Sequence, residues 1–132
     1  MTASASTDRV TIALTGRAEV AKDKIKAHFT ETEGLNLMRL GLAYAIRCEL
    51  PTLLEPSHGR PGDGQTVNVG SFDPNGEIRE LMRALYPATQ DPFGLVQVLM
   101  SRGLIQLDED IMAGRVTTLA DAMYGAVATK NA

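Results

Sequence analysis

The sequence predicts a mainly α-helical fold with one short β-strand near the N-terminus, and three observations support this prediction. Residues 9–15 alternate between polar and apolar side chains, which is the period of a strand. Residues 17–29 and 35–50 repeat their apolar side chains at helical spacing. Two Asp-Pro pairs, at 73–74 and 91–92, are typical helix starts. We therefore expect a strand and two helices, then a Gly/Pro-rich loop and two to three further helices.

The composition indicates one ordinary intracellular domain. At 132 residues the chain can bury a core without disulfides, and its single cysteine cannot form one internally. Cys48 falls inside an apolar helix, so we expect a buried thiol. The N-terminus lacks the apolar segment of a secretory signal, and no apolar run is long enough to span a bilayer. We expect a cytoplasmic protein with no membrane partner.

Four stretches of the chain are expected to share one core. They are a disordered tail (1–7), a strand-helix-helix unit for self-association (8–50), a loop (51–72) and a helical C-terminal part (73–132).

The strand lacks an obvious partner in its own chain. Val10, Ile12 and Leu14 lie on one side of it, and no second convincing strand is close in sequence. A lone strand leaves its backbone hydrogen-bonding groups unpaired, so we expect it to pair with the same strand of a second subunit. The amphipathic helix of residues 17–29 follows, and a capping box from Thr30 to Glu33 precedes the next helix.

The helix of residues 35–50 is apolar on two faces. Leu35, Met38 and Leu42 lie on one face, and a second face is formed by Leu37, Leu40 and Tyr44. The second face is covered either by the C-terminal half of the chain or by another subunit. Together with the strand, the second alternative predicts an oligomer interface of Val10, Ile12, Leu37, Leu40 and Tyr44.

Pro51 ends the apolar helix, and helices dominate the remainder. In the loop, residues 66–70 are expected to form only a brief edge strand. Helices are predicted over 76–86 and 93–102, the second one stopping at Gly103. A short connector (104–107), one helical turn (108–113) and a last helix capped by Thr118 and Asp121 follow; the last helix includes Ala126 and Val127.

No group of residues indicates catalysis, a metal site or a cofactor. His28 and His58 have no partners at metal-ligand spacing, and Asp108-Glu109-Asp110 lacks the spacing of a calcium loop. Residues 59–66 approach the spacing of a phosphate-binding loop, but Gln65 replaces its lysine. We therefore expect no enzyme activity.

The strand, the helix ending at Phe29, the Thr-rich cap and the apolar second helix resemble the ribbon-helix-helix family of DNA-binding dimers over residues 8–50. In that family, strands of two subunits pair in the DNA major groove. The resemblance implies that Arg9, Thr11 and Ala13 point outward toward the bases. Ala13 offers no hydrogen bond, and Glu31 and Glu33 would repel a phosphate, so sequence-specific repression ranks lower than other functions.

The order of strand, helix, apolar helix with an internal arginine, and proline loop also resembles the DndE family, accessory proteins of bacterial DNA phosphorothioate (sulfur) modification. This resemblance implies a self-associating, mostly helical protein whose surface lysines and arginines contact the DNA backbone without reading bases. Arg39 corresponds to the helix arginine of that family.

The first functional hypothesis is therefore a non-enzymatic, self-associating accessory protein that associates with DNA in modification or defence. Its net charge of −3 counts against strong autonomous DNA binding. The candidate DNA contacts are the cations and the threonine near the strand and first helix: Arg9, Thr11, Arg17, Lys22, Lys24 and Lys26. For the lysines, the alternative is a solvated helix face. The second hypothesis is an adaptor whose acidic C-terminal helices bind a protein partner.

Overall fold

The computed structural model describes residues 9–30, 32 and 34–124. Within these residues the chain forms six α-helices and two β-strands, which confirms the predicted mainly helical class. The elements in chain order are β1 (Thr11–Thr15), α1 (Gly16–His28), α2 (Gly34–Arg47), a 3₁₀ turn (Pro56–His58), β2 (Pro61–Asn68), α3 (Val69–Phe72), α4 (Glu77–Leu85), α5 (Pro92–Met112) and α6 (Leu119–Tyr124). The described residues do not include the predicted tail, Glu33 of the capping box, Ala126 or Val127.

β1 finds its partners within its own chain. It pairs antiparallel with β2, with Thr11 opposite Asn68 and Ala13 opposite Thr66. Side chains of α5 accept two further β1 amides: the N–H of Ala13 donates to Gln97 (2.8 Å), and that of Thr15 donates to Ser101 (3.2 Å). The predicted pairing with a second subunit is therefore wrong, because α5 and β2 already satisfy this strand.

The second face of α2 is also covered within the chain. Leu37, Leu40 and Tyr44 are 0%, 7% and 3% exposed, and Ile12 of β1 is fully buried. These four residues were predicted to form an oligomer interface, and that assignment is corrected because their side chains belong to the core of one chain. Val10, the fifth member of that set, is 77% exposed.

One hydrophobic core joins the N-terminal and C-terminal halves. Ile12 and Ile25 pack in the same cluster as Met82, Leu104 and Val116. The helices α2 and α5 pack most extensively against each other. The N-terminal strand and two helices are thus held together by elements that come more than forty residues later in the chain.

The helix α5 continues past Gly103, where the sequence pattern predicted a stop. Residues 104–107 and 108–112 extend the same helix instead of forming a connector and a separate turn. Gly103 faces Gly41 of α2, and a Cβ added there would overlap the Gly41 carbonyl oxygen. Glycine is present here because two backbones approach closely, not because the helix ends.

The loop of residues 51–72 holds more structure than its composition indicated. It contains the 3₁₀ turn, all of β2 and the short helix α3. The expected strand at 66–70 is longer and begins earlier, at Pro61, because its partner is β1 and not a neighbour in sequence. Cys48 was expected to be buried but is exposed, since it lies just beyond the last residue of α2.

The predicted helix starts are largely present. Asp91 caps α5 by accepting the Gly94 N–H at 3.0 Å, and Pro92 follows as its first residue. Asp73 accepts the N–H groups of Ile78 and Arg79 at 3.0 Å each, although α4 begins only at Glu77. At α6, the Thr118 hydroxyl accepts the Asp121 N–H (3.1 Å) and the Asp121 carboxylate accepts the Thr118 N–H (3.3 Å).

Candidate nucleic-acid interface

The helix α1 separates the predicted DNA contacts onto two sides. Arg17 and Lys24 are seven residues apart, so they share the side that faces α5, and their partners are both on α5. Lys22 lies on the side that faces β2 and contacts Gln65 there. Lys26 is exposed on that half of the helix. The four predicted residues of α1 therefore do not form one continuous surface.

Arg9 forms an ion pair with Asp91, the residue that caps the N-terminus of α5. Its guanidinium contacts the Asp91 carboxylate through Nη2 at 2.8 Å and through Nε at 2.9 and 3.1 Å. Thr11 is exposed at the end of the sheet. Ala13, which the ribbon-helix-helix resemblance placed on the outward side, is buried. β1 thus lacks the row of outward side chains that base reading requires.

Lys22 is a structural residue and not a surface contact. It is only 7% exposed, lies 3.1 Å from the Glu19 carboxylate, and donates to the Gln65 side chain. Glu19 in turn accepts the backbone N–H of Gln65 at 2.7 Å. These contacts fix β2 against α1, because a buried ammonium needs both a charge partner and hydrogen-bond acceptors. The prediction of Lys22 as a DNA contact is therefore corrected.

Two other α1 cations pair with the acidic run at the end of α5, whereas Lys26 has no ion pair among the described residues. Arg17 lies 3.1 Å from Glu109, and Lys24 lies 4.0 Å from Asp108. The side chains of the Arg17–Glu109 pair are about half exposed, 48% and 50%. Arg17 and Lys24, which are predicted to bind DNA, are thus paired with acids that are predicted to bind a protein partner.

Asp110, the third acid of that run, points inward. Its carboxylate accepts from the Tyr44 hydroxyl, from the Gln106 amide (3.0 Å) and from Arg115, whose Nη2 lies at 2.7 Å. Burial and the Asp110 hydrogen bond raise the pKa of Tyr44 well above its ordinary value. Asp110 therefore ties α2 to the segment that follows α5 and is not free for a partner.

A basic cluster that the sequence did not predict lies where the 53–58 loop crosses α1 and α5. Arg17 donates to the Ser57 carbonyl at 2.9 Å, and Arg102 donates to the Leu53 carbonyl. His58 follows directly after Ser57 and accepts the Glu55 N–H through Nδ1 at 2.9 Å. We call Arg17, His58 and Arg102 the loop cluster.

The surroundings of His58 disfavour its protonation. Its pKa is lowered first by burial and then by the Arg102 guanidinium, with a smaller effect of Arg17. The carboxylates of Glu55 and Glu109 act in the opposite direction. His58 is therefore neutral near pH 7, and because Nδ1 is an acceptor, its ring proton is on Nε2.

One sequence signal could have revealed this cluster. Arg102 and Glu109 are seven residues apart, which is two helical turns, so they share a face of a continuous α5. The predicted stop at Gly103 divided the two residues between separate elements. The loop contact itself depends on Gly59 (φ 87°), whose absent Cβ would lie 3.3 Å from Thr15 Cβ. That close approach lets the loop lie on the start of α1.

Comparisons with models of protein families, with curated proteins and with solved structures found no match. Across the described residues, no helix has the length and apolar character needed to cross a membrane. The same part of the chain has no group of three His, Cys, Asp or Glu side chains that could hold a metal ion.

A separate apolar surface lies around Tyr86. A groove of about 620 Å³ is lined by Tyr86, Pro87, Leu95 and Val98, and the Arg9–Asp91 pair lies at its edge. Leu81 and Leu85 of α4, the helix that ends just before Tyr86, are 45% and 46% exposed.

Proposed function

We propose that this chain is a non-enzymatic, DNA-associated accessory protein that binds the DNA backbone with little sequence preference, in a bacterial DNA modification or defence system. The observation that supports the proposal is the loop cluster, in which Arg17 of α1 and Arg102 of α5 bind carbonyls of the segment that carries the half-buried His58. Arginine guanidinium groups are the side chains best suited to bind phosphate oxygens in pairs.

Backbone binding fits this surface better than base reading. Lys24 extends the loop cluster along α1 and is 57% exposed, so it can reach a second phosphate of the same strand. The carbonyl bonds of Arg17 and Arg102 restrain both side chains before DNA arrives, which lowers the entropy cost of binding. β1, which the ribbon-helix-helix resemblance assigns to base reading, is paired with β2, and its Ala13 is buried.

The charge balance predicts weak binding. The chain carries a net charge of −3, and Glu109 and Asp108 lie beside the cations that would contact phosphates. Non-specific complexes have dissociation constants of about 10⁻⁴ to 10⁻⁶ M at physiological salt, and we expect this protein at the weak end of that range.

The experiment is a fluorescence anisotropy titration with two labelled duplexes of unrelated sequence and equal length, repeated across a series of NaCl concentrations. We expect equal dissociation constants for the two duplexes and an affinity that falls steeply with salt. Arg102→Gln should weaken both complexes, whereas Arg83→Gln on α4 makes the same charge change away from the loop cluster. Failure of both duplexes to bind at low salt contradicts the proposal.

A second candidate function, a protein-interaction adaptor, is favoured by the apolar surface around Tyr86. Exposed leucines beside a groove are typical of a surface that binds another protein. The adaptor predicts no DNA binding in the same titration. A ribbon-helix-helix repressor would instead give a tight complex with one sequence, and it requires β1 to leave β2 and pair between subunits.

A further inference from the structure

The loop cluster has the form of a site for a single anion. Three elements supply its side chains: Arg17 comes from the first turn of α1, His58 from the 3₁₀ turn and Arg102 from the middle of α5. Arg17 and Arg102 are hydrogen-bonded to carbonyls of the 53–58 segment, and His58 is held at the end of that segment, so these bonds restrain the three side chains around it without a ligand. Such preorganisation distinguishes a binding site from lysines scattered on a surface.

Arg102 supplies the charge that its own chain does not neutralise. Among the described residues, its guanidinium has one acceptor, the Leu53 carbonyl, and no carboxylate within 4.0 Å. A carbonyl oxygen orients a guanidinium but cancels none of its charge. Arg102 is also half-buried, so its charge is less screened by water than that of an exposed arginine.

His58 supplies a donor without adding a third positive charge. Its Nδ1 accepts the Glu55 N–H, which leaves Nε2–H as the donor of the neutral ring. Burial is the main factor that opposes protonation of this ring, Arg102 and Arg17 add to it, and Glu55 and Glu109 act in the opposite direction. The cluster therefore combines two permanent cations with one neutral N–H donor, a combination suited to a phosphate oxygen.

Glu109 is the competitor for this site. It contacts Arg17 at 3.1 Å, but both side chains are about half exposed, and exposed ion pairs contribute little to stability. A phosphate group accepts two parallel hydrogen bonds from one guanidinium, which a single Glu109 oxygen at Arg17 Nη2 does not match. Glu109 is therefore a weak competitor for a phosphate group at Arg17.

We propose that Arg17, His58 and Arg102 form a binding site for one phosphate group, and that Glu109 occupies Arg17 until that group displaces it. This inference rests on the proposed function, because it takes the phosphate group to be one of the DNA backbone. Glu109 then limits the affinity for DNA, because each binding event must break its contact with Arg17.

The test uses a variant that should bind duplex DNA more tightly, because a variant that failed to fold would lose affinity for DNA. Glu109→Gln frees Arg17 and should tighten duplex binding by about two- to fivefold, the equivalent of an exposed ion pair. It should also make the affinity fall more steeply with salt, by the amount that corresponds to about one additional phosphate contact. The matched control is Glu77→Gln on α4, which changes the net charge equally and has no ion pair within the described residues. Equal affinities of the two variants overturn the proposal.

A second experiment tests whether the site binds phosphate in the absence of DNA. Inorganic phosphate is titrated into the full-length protein while NMR follows the imidazole resonances of His58, with His28 as the internal control. We expect phosphate to shift His58 alone, and Arg102→Gln to abolish the shift while the thermal unfolding curve shows that the variant is folded. A shift of neither histidine contradicts the site.

The two proposals fail separately. If phosphate shifts His58 but no variant binds duplex DNA, the phosphate site stands and the proposed DNA function is wrong. If duplexes bind with the same affinity to the wild type, Glu109→Gln and Arg102→Gln, DNA association stands and this phosphate site is wrong.

Discussion

Gly103 of α5 lies against the backbone of Gly41 in α2, and the Gly41 carbonyl oxygen fills the space that a Cβ of Gly103 would need. A glycine within a helix costs about 1 kcal/mol relative to alanine, yet α5 has one at its centre. The close crossing offsets that cost, because it brings the apolar faces of the two longest helices into contact.

Gly103→Ala should destabilise the protein by about 3 kcal/mol or more, since the new methyl group meets rigid backbone as well as Ala45 Cβ, 3.1 Å away. Urea denaturation monitored by circular dichroism measures the change. Gly70→Ala is the control, because a Cβ at Gly70 has nothing within 4 Å. A Gly103→Ala protein as stable as Gly70→Ala would falsify the close crossing.

Leu37→Ala should reduce the free energy of unfolding by about 2–5 kcal/mol without changing the molecular mass in solution, because Leu37 is fully buried in the core of one chain. Light scattering gives the mass, and denaturant titration gives the stability. Val10→Ala, at the exposed end of the predicted interface, should change neither quantity. A smaller mass of Leu37→Ala at unchanged stability would restore the subunit interface that the sequence predicted.

Tyr44 makes stability sensitive to alkaline pH. Burial and the Asp110 hydrogen bond raise its folded-state pKa above the unfolded value of about 10. Its contribution to stability is therefore complete below about pH 10 and is lost as pH rises from there toward the folded-state pKa. The loss amounts to about 1.4 kcal/mol per pH unit within that window.

Tyr44→Phe should cost about 1–3 kcal/mol at pH 7, because Asp110 loses a donor, and it should flatten the decline of stability above pH 10. Tyr86→Phe removes a hydroxyl that makes no hydrogen bond among the described residues and serves as the comparison. Thermal unfolding between pH 7 and 11 measures both effects. Parallel alkaline declines in the wild type and Tyr44→Phe would argue against the Tyr44–Asp110 contact.

Asp91 should matter more than its partner Arg9. Asp91→Ala removes the cap of α5 as well as the ion pair and should cost about 1–2 kcal/mol. Arg9→Ala removes only a partly exposed pair and should cost less than about 1 kcal/mol, with an effect that shrinks in high salt. A double-mutant cycle measures their coupling. Equal costs would show that the cap contributes nothing.

The parts of the fold that local sequence determines were predictable. Helix starts at Asp91-Pro92 and Thr118 follow from side chains that bond neighbouring amides, and the helical periods of α1 and α2 follow from spacing alone. The partner of β1 was not predictable in this way. β2 contains two glycines and a proline and has no alternating pattern, so only its position opposite β1 identifies it as a strand.

The candidate site was less predictable than the fold. Arg17 was identified from sequence, but its neighbours Arg102 and His58 come from elements 40 or more residues away. The sequence also predicts that the cations of α1 are available to contact DNA, whereas Lys22 is buried and Arg17 and Lys24 face acids of α5. Such pairing depends on how α5 crosses α1, which no local pattern encodes.

The bonds between β1 and α5 also constrain how the protein can be made in the cell. Ala13 and Thr15 receive their acceptors from residues 84 and 86 positions later. At translation rates of about 5–20 residues per second, the first strand leaves the ribosome about 4–17 s before those acceptors are synthesised. During that interval the Ala13 and Thr15 amides lack these acceptors, so the nascent chain is a candidate for chaperone binding until α5 emerges.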